Sequence, residues 1–166
     1  MAYANAGIPV LLKDVDQAAV DRGMATIGKN YESTVSKGKM TPEALAATLS
    51  LITPTTSYDA FGQADIDVEA VFEDRNVKAE TFAKAQQYLK SDAIFASNTS
   101  TLPITELSEG VDRPDDFIGL HFFSPVDKMP LVEIIKGGKT SEATVAKAID
   151  VVQLIKKTPI VVNDSR

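Results

Sequence analysis

The sequence predicts an α/β domain built on a mostly parallel sheet with helices on both faces. Two observations predict it. Short apolar runs of strand length recur along the chain, and stretches of helical period lie between several of them. The runs at 8–12, 66–72, 93–96, 117–120, 131–135 and 160–162 read as strands. Val20, Met24, Ile27, Tyr31 and Val35 step by four, three, four and four, which places them on one helix face. Thr41-Pro42-Glu43 reads as a helix start, with a hydroxyl cap, a proline in the first turn and an acid near the positive end. Asn76 is expected to cap a helix carrying Val77, Phe82, Ala85 and Leu89. Ser141 is expected to cap another carrying Val145, Ile149 and Val152, which closes on Lys156-Lys157, where the helix dipole favours cations. One strand is unusual. Asp65-Ile66-Asp67-Val68-Glu69 alternates acid and apolar, so either one face stays wet or Asp67 has a specific partner. No repeat, low-complexity tract or linker interrupts the chain, and one domain, or a piece of one, is expected.

Composition narrows the class of function. The chain has 166 residues, 44% apolar and 24% charged, as expected of a soluble globular domain. It has no cysteine and one histidine, which excludes disulfides, thiolate metal sites and multi-histidine metal sites. A formal charge of −6 disfavours nucleic acid and anionic membranes as partners. No apolar run approaches the roughly 20 residues needed to span a bilayer. The start, MAYANAGIPVLLKD, has no basic segment ahead of an apolar core, so a secretion signal is not expected and the cytoplasm is the expected location.

Four groups of residues can carry chemistry. Asp14 closes the first apolar run, where in dinucleotide-binding folds an acid accepts hydrogen bonds from ribose hydroxyls; it could equally be an ordinary helix cap. An acid there also favours NAD over NADP, because it repels a 2′-phosphate. His121 follows a strand and is flanked by aromatics, and only histidine titrates near neutrality unperturbed, which suits a base for an alcohol proton. A core histidine satisfied by one hydrogen bond is the plainer alternative. Glu133 interrupts the apolar run Leu131-Val132-Glu133-Ile134-Ile135, so it either faces solvent or pairs with a group such as an imidazole, fixing its tautomer. Ser97-Asn98-Thr99-Ser100 follows a strand, at the end where open α/β sheets bind ligands, or else forms the turn into the next helix.

Taken together, these motifs resemble a known family. Ser97-Asn98-Thr99-Ser100-Thr101-Leu102-Pro103-Ile104, Gly119-Leu120-His121-Phe122-Phe123-Ser124-Pro125 and Met129-Pro130-Leu131-Val132-Glu133-Ile134-Ile135 resemble the signature of 3-hydroxyacyl-CoA dehydrogenases. Glu69-Ala70-Val71-Phe72-Glu73-Asp74, Val77-Lys78 and the run from Lys157 to Asp164 extend the likeness, in particular to the dehydrogenase part of the alpha subunits of bacterial multifunctional fatty-acid oxidation complexes.

The resemblance implies a Rossmann-like sheet and an NAD-dependent oxidation of 3-hydroxyacyl-CoA to 3-oxoacyl-CoA in fatty-acid β-oxidation. It implies His121 as the base, Glu133 as its orienting acid and Ser100 as a hydrogen-bond donor to the substrate oxygen. Asp14, Ala70, Glu73, Lys78, Asn98 and Ser124 would contact NAD, and Lys37 would meet the CoA phosphates. It also implies that residues 1–166 are an incomplete NAD-binding domain, lacking the first strand, its Gly-x-Gly-x-x-Gly loop and the C-terminal helical domain. Ser124 stands where the family usually has asparagine, and Asp67 where it usually has an apolar residue. A sheet without its first strand exposes an edge for homodimer formation, and hydratase and thiolase partners are implied for the full-length relatives. Two other readings stay open from sequence: a folded but inactive relative, and a different NAD(P) oxidoreductase of related fold.

Overall fold

The structure is a computed structural model and describes residues 1–164; Ser165 and Arg166, the end of the expected 1–166 domain, lie outside the described residues. The chain forms two compact units, Met1–Tyr58 and Asp59–Arg166.

In the first unit, α1 (Ala2–Asn5) ends where Gly7 adopts φ +80° and the amides of Gly7 and Ile8 return to the carbonyls of Ala4 and Tyr3. That left-handed closure, which glycine adopts freely, keeps Ile8 in the helix exit. The expected strand at 8–12 therefore begins later, as β1 (Val10–Lys13). Helix α2 (Gln17–Ser36) is capped by Asp16, whose carboxylate accepts the Ala19 amide. Of its predicted inner face, Val20 and Tyr31 are buried and Met24, Ile27 and Val35 half-buried. Thr41 caps α3 (Pro42–Ser50) as expected, accepting the Ala44 amide at 3.1 Å. Strand β2 (Ile52–Thr55) pairs parallel with β1 and was not expected, because Pro54 lies inside it. Proline cannot donate to a ladder on both sides, and here β2 pairs with β1 alone.

The second unit is a five-stranded sheet in the order β3 (Ile66–Glu69), β4 (Ile94–Ser97), β5 (Phe117–Phe122), β6 (Leu131–Lys136), β7 (Thr158–Asn163). All neighbours run parallel except β5 and β6. Alternation along the strands divides the side chains between two faces. Ile94, Ala96, Ile118, Leu120, Val132 and Ile134 form one core with Val145, Ala148 and Val152 of α6 (Glu142–Leu154). On the other face Phe95 and Phe117 meet Phe82 of α4 (Arg75–Ala85) edge-to-face, with ring centroids 5.2–5.7 Å apart. His121 and Glu133 share the alternation of Phe117 and so sit on this second face.

Three local expectations change. β3 stops at Glu69 rather than at 72, because the Glu69 carboxylate accepts the Val71 amide at 2.6 Å and turns the chain; Phe72 ends up 85% exposed. Asp67 is half-buried within β3. Asp74, not Asn76, caps α4, taking the amides of Asn76 and Val77 on one oxygen. Helix α6 keeps its Ser141 cap but stops at Leu154, where Lys156 adopts φ 60°. Lys157 closes the helix with its backbone amide, which donates to the Val152 carbonyl, while its ammonium donates to the carbonyls of Val126 and Met129 at 2.7 Å each.

Candidate active site

In the second unit the antiparallel register of β5 and β6 sets His121 directly opposite Glu133. Facing residues in such a pair have Cβ atoms about 5 Å apart, within reach of an imidazole and a carboxylate. His121 Nδ1 lies 2.9 Å from Glu133 Oε2. The two side chains are 19% and 33% exposed, so the pair is shielded yet open on one side. The Phe123 ring tilts over the imidazole at 4.6 Å between centroids. Nε2 of His121 makes no hydrogen bond among the described residues, which leaves it available to a ligand. Nδ1 held by a carboxylate and Nε2 free is an arrangement in which Nε2 can accept a proton from a ligand.

Asn98 supports this strand end. β4 ends at Ser97, paired with Gly119, while β5 continues for three more residues. Beyond that point the Asn98 side-chain carbonyl accepts the Phe122 amide at 2.9 Å. The side chain thus continues the ladder that the β4 backbone leaves off, next to His121.

Ser100 lies on the loop after β4 and is held by Glu73 from the loop after β3. Glu73 Oε1 accepts the Thr99 hydroxyl (2.6 Å), the amides of Ser100 (2.8 Å) and Thr101 (2.9 Å), and the hydroxyls of Thr101 (3.1 Å) and Ser100 (3.3 Å). Burial pushes the Glu73 carboxyl up, but the bonds donated by Thr99, Thr101 and Ser100 outweigh it and bring the group down to about 2. Ser100 and Thr101 line an open groove with Glu133, Ile135, Val162 and Asn163, so the loop and Glu133 face one opening. A larger hollow between α4 and the short helix α5 (Ile104–Leu107) holds an Arg75–Glu106 ion pair at 2.6 Å and none of the expected site residues. The groove beside Glu133, though smaller, is the one that Ser100 and Glu133 share.

The other expected residues fall in three places. Ala70 and Ser124 are exposed, the first just past β3 and the second before the cis Pro125 peptide. Lys78, expected as a cofactor contact, is buried. Its side chain is 1% exposed and its ammonium is taken by Glu69 at 2.8 and 3.0 Å, with Glu73 and the Val71 carbonyl each at 3.4 Å. It shapes the loop from beneath, because no donor is left facing outward. Glu69, its buried partner, was missed by the sequence reading; an acid at the end of an alternating strand gives no sign of being inside. In the first unit Asp14 is exposed past the end of β1 with Oδ1 accepting the Val15 amide at 2.7 Å, and Lys37 is exposed at the end of α2. Among the described residues no cluster of potential metal ligands occurs, and no helix is long and apolar enough to cross a membrane.

A largely parallel α/β sheet whose polar loops gather at the carboxyl ends of its strands is the architecture of a nucleotide-binding enzyme domain. More particularly, the chain belongs to the family of the 3-hydroxyacyl-CoA dehydrogenase, NAD binding domain, whose model matches residues 1–165. It is 44% identical over 161 residues to the fatty acid oxidation complex subunit alpha of Psychrobacter arcticus, covering 97% of this chain and 22% of that protein. The crystal structure of (S)-3-hydroxybutyryl-CoA dehydrogenase from Ralstonia eutropha matches with a TM-score of 0.96 and 37% identity, over 99% of this chain and 58% of that one. 3-Hydroxybutyryl-CoA dehydrogenase from Escherichia coli K12 matches with a TM-score of 0.94 and 30% identity, over 99% of this chain and 35% of that one. The chain thus spans about a fifth of the curated relative and a third to three fifths of these solved chains.

In the first unit, the Asp14 carboxylate is exposed with Oδ1 accepting a backbone amide, a disposition that fits a ribose diol.

Proposed function

We propose that this domain binds NAD and supplies the base and the positioning groups for oxidising a 3-hydroxyacyl-CoA to its 3-oxoacyl-CoA. The observation that carries this reading is the His121–Glu133 pair, 2.9 Å apart with Nε2 open. His121 Nε2 takes the substrate's 3-hydroxyl proton as the C3–H bond gives up hydride and the carbonyl forms. Glu133 holds the imidazole in the tautomer that leaves Nε2 unprotonated, then stabilises the imidazolium. The Ser100 hydroxyl hydrogen-bonds the same oxygen and orients the alcohol. NAD, when bound, supplies the hydride acceptor. Asp14 would hold its ribose, and Ala70, Glu73, Asn98 and Ser124 would border it, Glu73 by fixing the Ser100 loop. Lys78 would act from below, through Glu73. Lys37 would meet the CoA phosphates.

Residues 1–166 would form a dinucleotide-binding domain, working in the cytoplasm. An acyl-CoA substrate, a second copy of the chain, and hydratase and thiolase partners of the kind expected around a fatty acid oxidation complex complete this reading. The test is acetoacetyl-CoA-dependent oxidation of NADH by this chain beside His121→Ala. We expect turnover that falls by about 10²–10⁴-fold in the variant, the range for losing a general acid–base. NAD binding without turnover in the unaltered chain would favour the inactive relative instead.

A further inference from the structure

Glu69 takes no part in the chemistry above, yet it is among the more costly placements in the unit. It and Lys78 form an ion pair with both side chains 1% exposed. Burying two charges is expensive, and neutral or apolar replacements of such pairs are often as stable, so stability alone does not call for it. Its geometry is specific. Oε1 accepts Lys78 Nζ at 2.8 Å and the Val71 amide at 2.6 Å. Oε2 accepts Lys78 Nζ at 3.0 Å and the Ser97 hydroxyl at 2.7 Å. Glu69 is the last residue of β3 and Ser97 the last of β4, and the two are register partners. From these residues the chain leaves into the 70–74 loop and the 98–103 loop respectively. The two loops are therefore joined at their base by Glu69, Lys78 and Ser97, and at their tips by Glu73 with Thr99, Ser100 and Thr101. Lys78 belongs to both joints, because its ammonium also lies 3.4 Å from Glu73 Oε2.

We propose that Glu69 is a positioning residue: its buried carboxylate, acting through Lys78, fixes Glu73 and so sets Ser100 relative to the cofactor-side loop. This rests on the reading that Ser100 faces substrate while residues 70–74 face NAD, but its structural half can be measured without either ligand. In Glu69→Gln the amides of Ser100 and Thr101 should exchange hydrogen roughly tenfold faster, while core amides such as that of Ile134 stay within about twofold. NAD affinity, measured by titration, should fall by roughly tenfold in the same variant. Glu69→Gln combined with Lys78→Met removes both buried charges and should recover thermal stability without recovering protection at Ser100 and Thr101. A merely structural role predicts that stability and protection return together, and that result overturns the proposal. So does unchanged exchange at Ser100 and Thr101 in Glu69→Gln. If Glu69→Gln fails to fold, Ser97→Ala removes only one bond to Oε2 and should raise exchange at the same two amides by a few-fold; no rise there is equally fatal. Should the unaltered chain bind no NAD, the functional reading fails while the exchange comparison still decides the role of Glu69.

Discussion

His121 and Glu133 meet because β5 and β6 run antiparallel in a register that makes them direct neighbours. The same logic gives Asn98 its role, since its side-chain carbonyl holds the Phe122 amide one residue beyond His121. Asn98→Ala should cost about 1 kcal/mol in local stability, the usual worth of one hydrogen bond. The loss should appear as faster hydrogen exchange at Phe122 and a lower kcat, with the amides of β3 unaffected. An unchanged Phe122 amide would show that the strand end holds itself. Most site residues were legible in the sequence because their surroundings are short linear motifs: Ser100 in a polar run after a strand, His121 and Glu133 each inside an apolar one. What the sequence could not show was who binds whom at a distance. Glu73 reaches loop residues more than twenty-five positions away, and Lys78, which the resemblance implies as an NAD contact, is paired with a buried Glu69 that no linear motif reveals.

At the scale of elements, the strands with unbroken apolar character were found almost in place, whereas β2 was missed and β3 overextended. Periodicity reports burial, and β2 carries Pro54 while the run after Glu69 is apolar but turned outward by a side-chain contact. Helix ends were legible where a hydroxyl precedes the helix, at Thr41 and Ser141, and misplaced at α4, where Asp74 and Asn76 are both good caps and only the backbone decides. One element carries a sharp steric condition. A Cβ added at Gly119 would lie 2.7 Å from Ile135 Cβ and 2.8 Å from Ile104 Cγ1, so β5 and β6 can close only around a glycine. Gly119→Ala should therefore destabilise the unit by about 2–3 kcal/mol through overpacking, read as a shift in the urea midpoint. A variant as stable as the parent would mean that Ile104 yields more easily than its packing suggests.

For the molecule as a whole, the loop joint leaves a signature in the dependence of stability on pH. Glu73 is lowered from 4.5 to about 2 in the folded chain, so it binds a proton less readily folded than unfolded. Its contribution is then present above about pH 4.5 and is lost as pH falls through about 2. Urea unfolding of the parent and Glu73→Gln should differ at pH 7, and the difference should shrink as pH falls through that window. A difference independent of pH would mean that the carboxylate's charge is not what the loop uses. The central claim, that Glu133 acts only through His121, is tested most directly by a double-mutant cycle in acetoacetyl-CoA-dependent NADH oxidation. The account predicts that His121→Ala with Glu133→Gln loses no more turnover than His121→Ala alone. Losses that multiply would contradict it, as would a Glu133→Gln enzyme as fast as the parent.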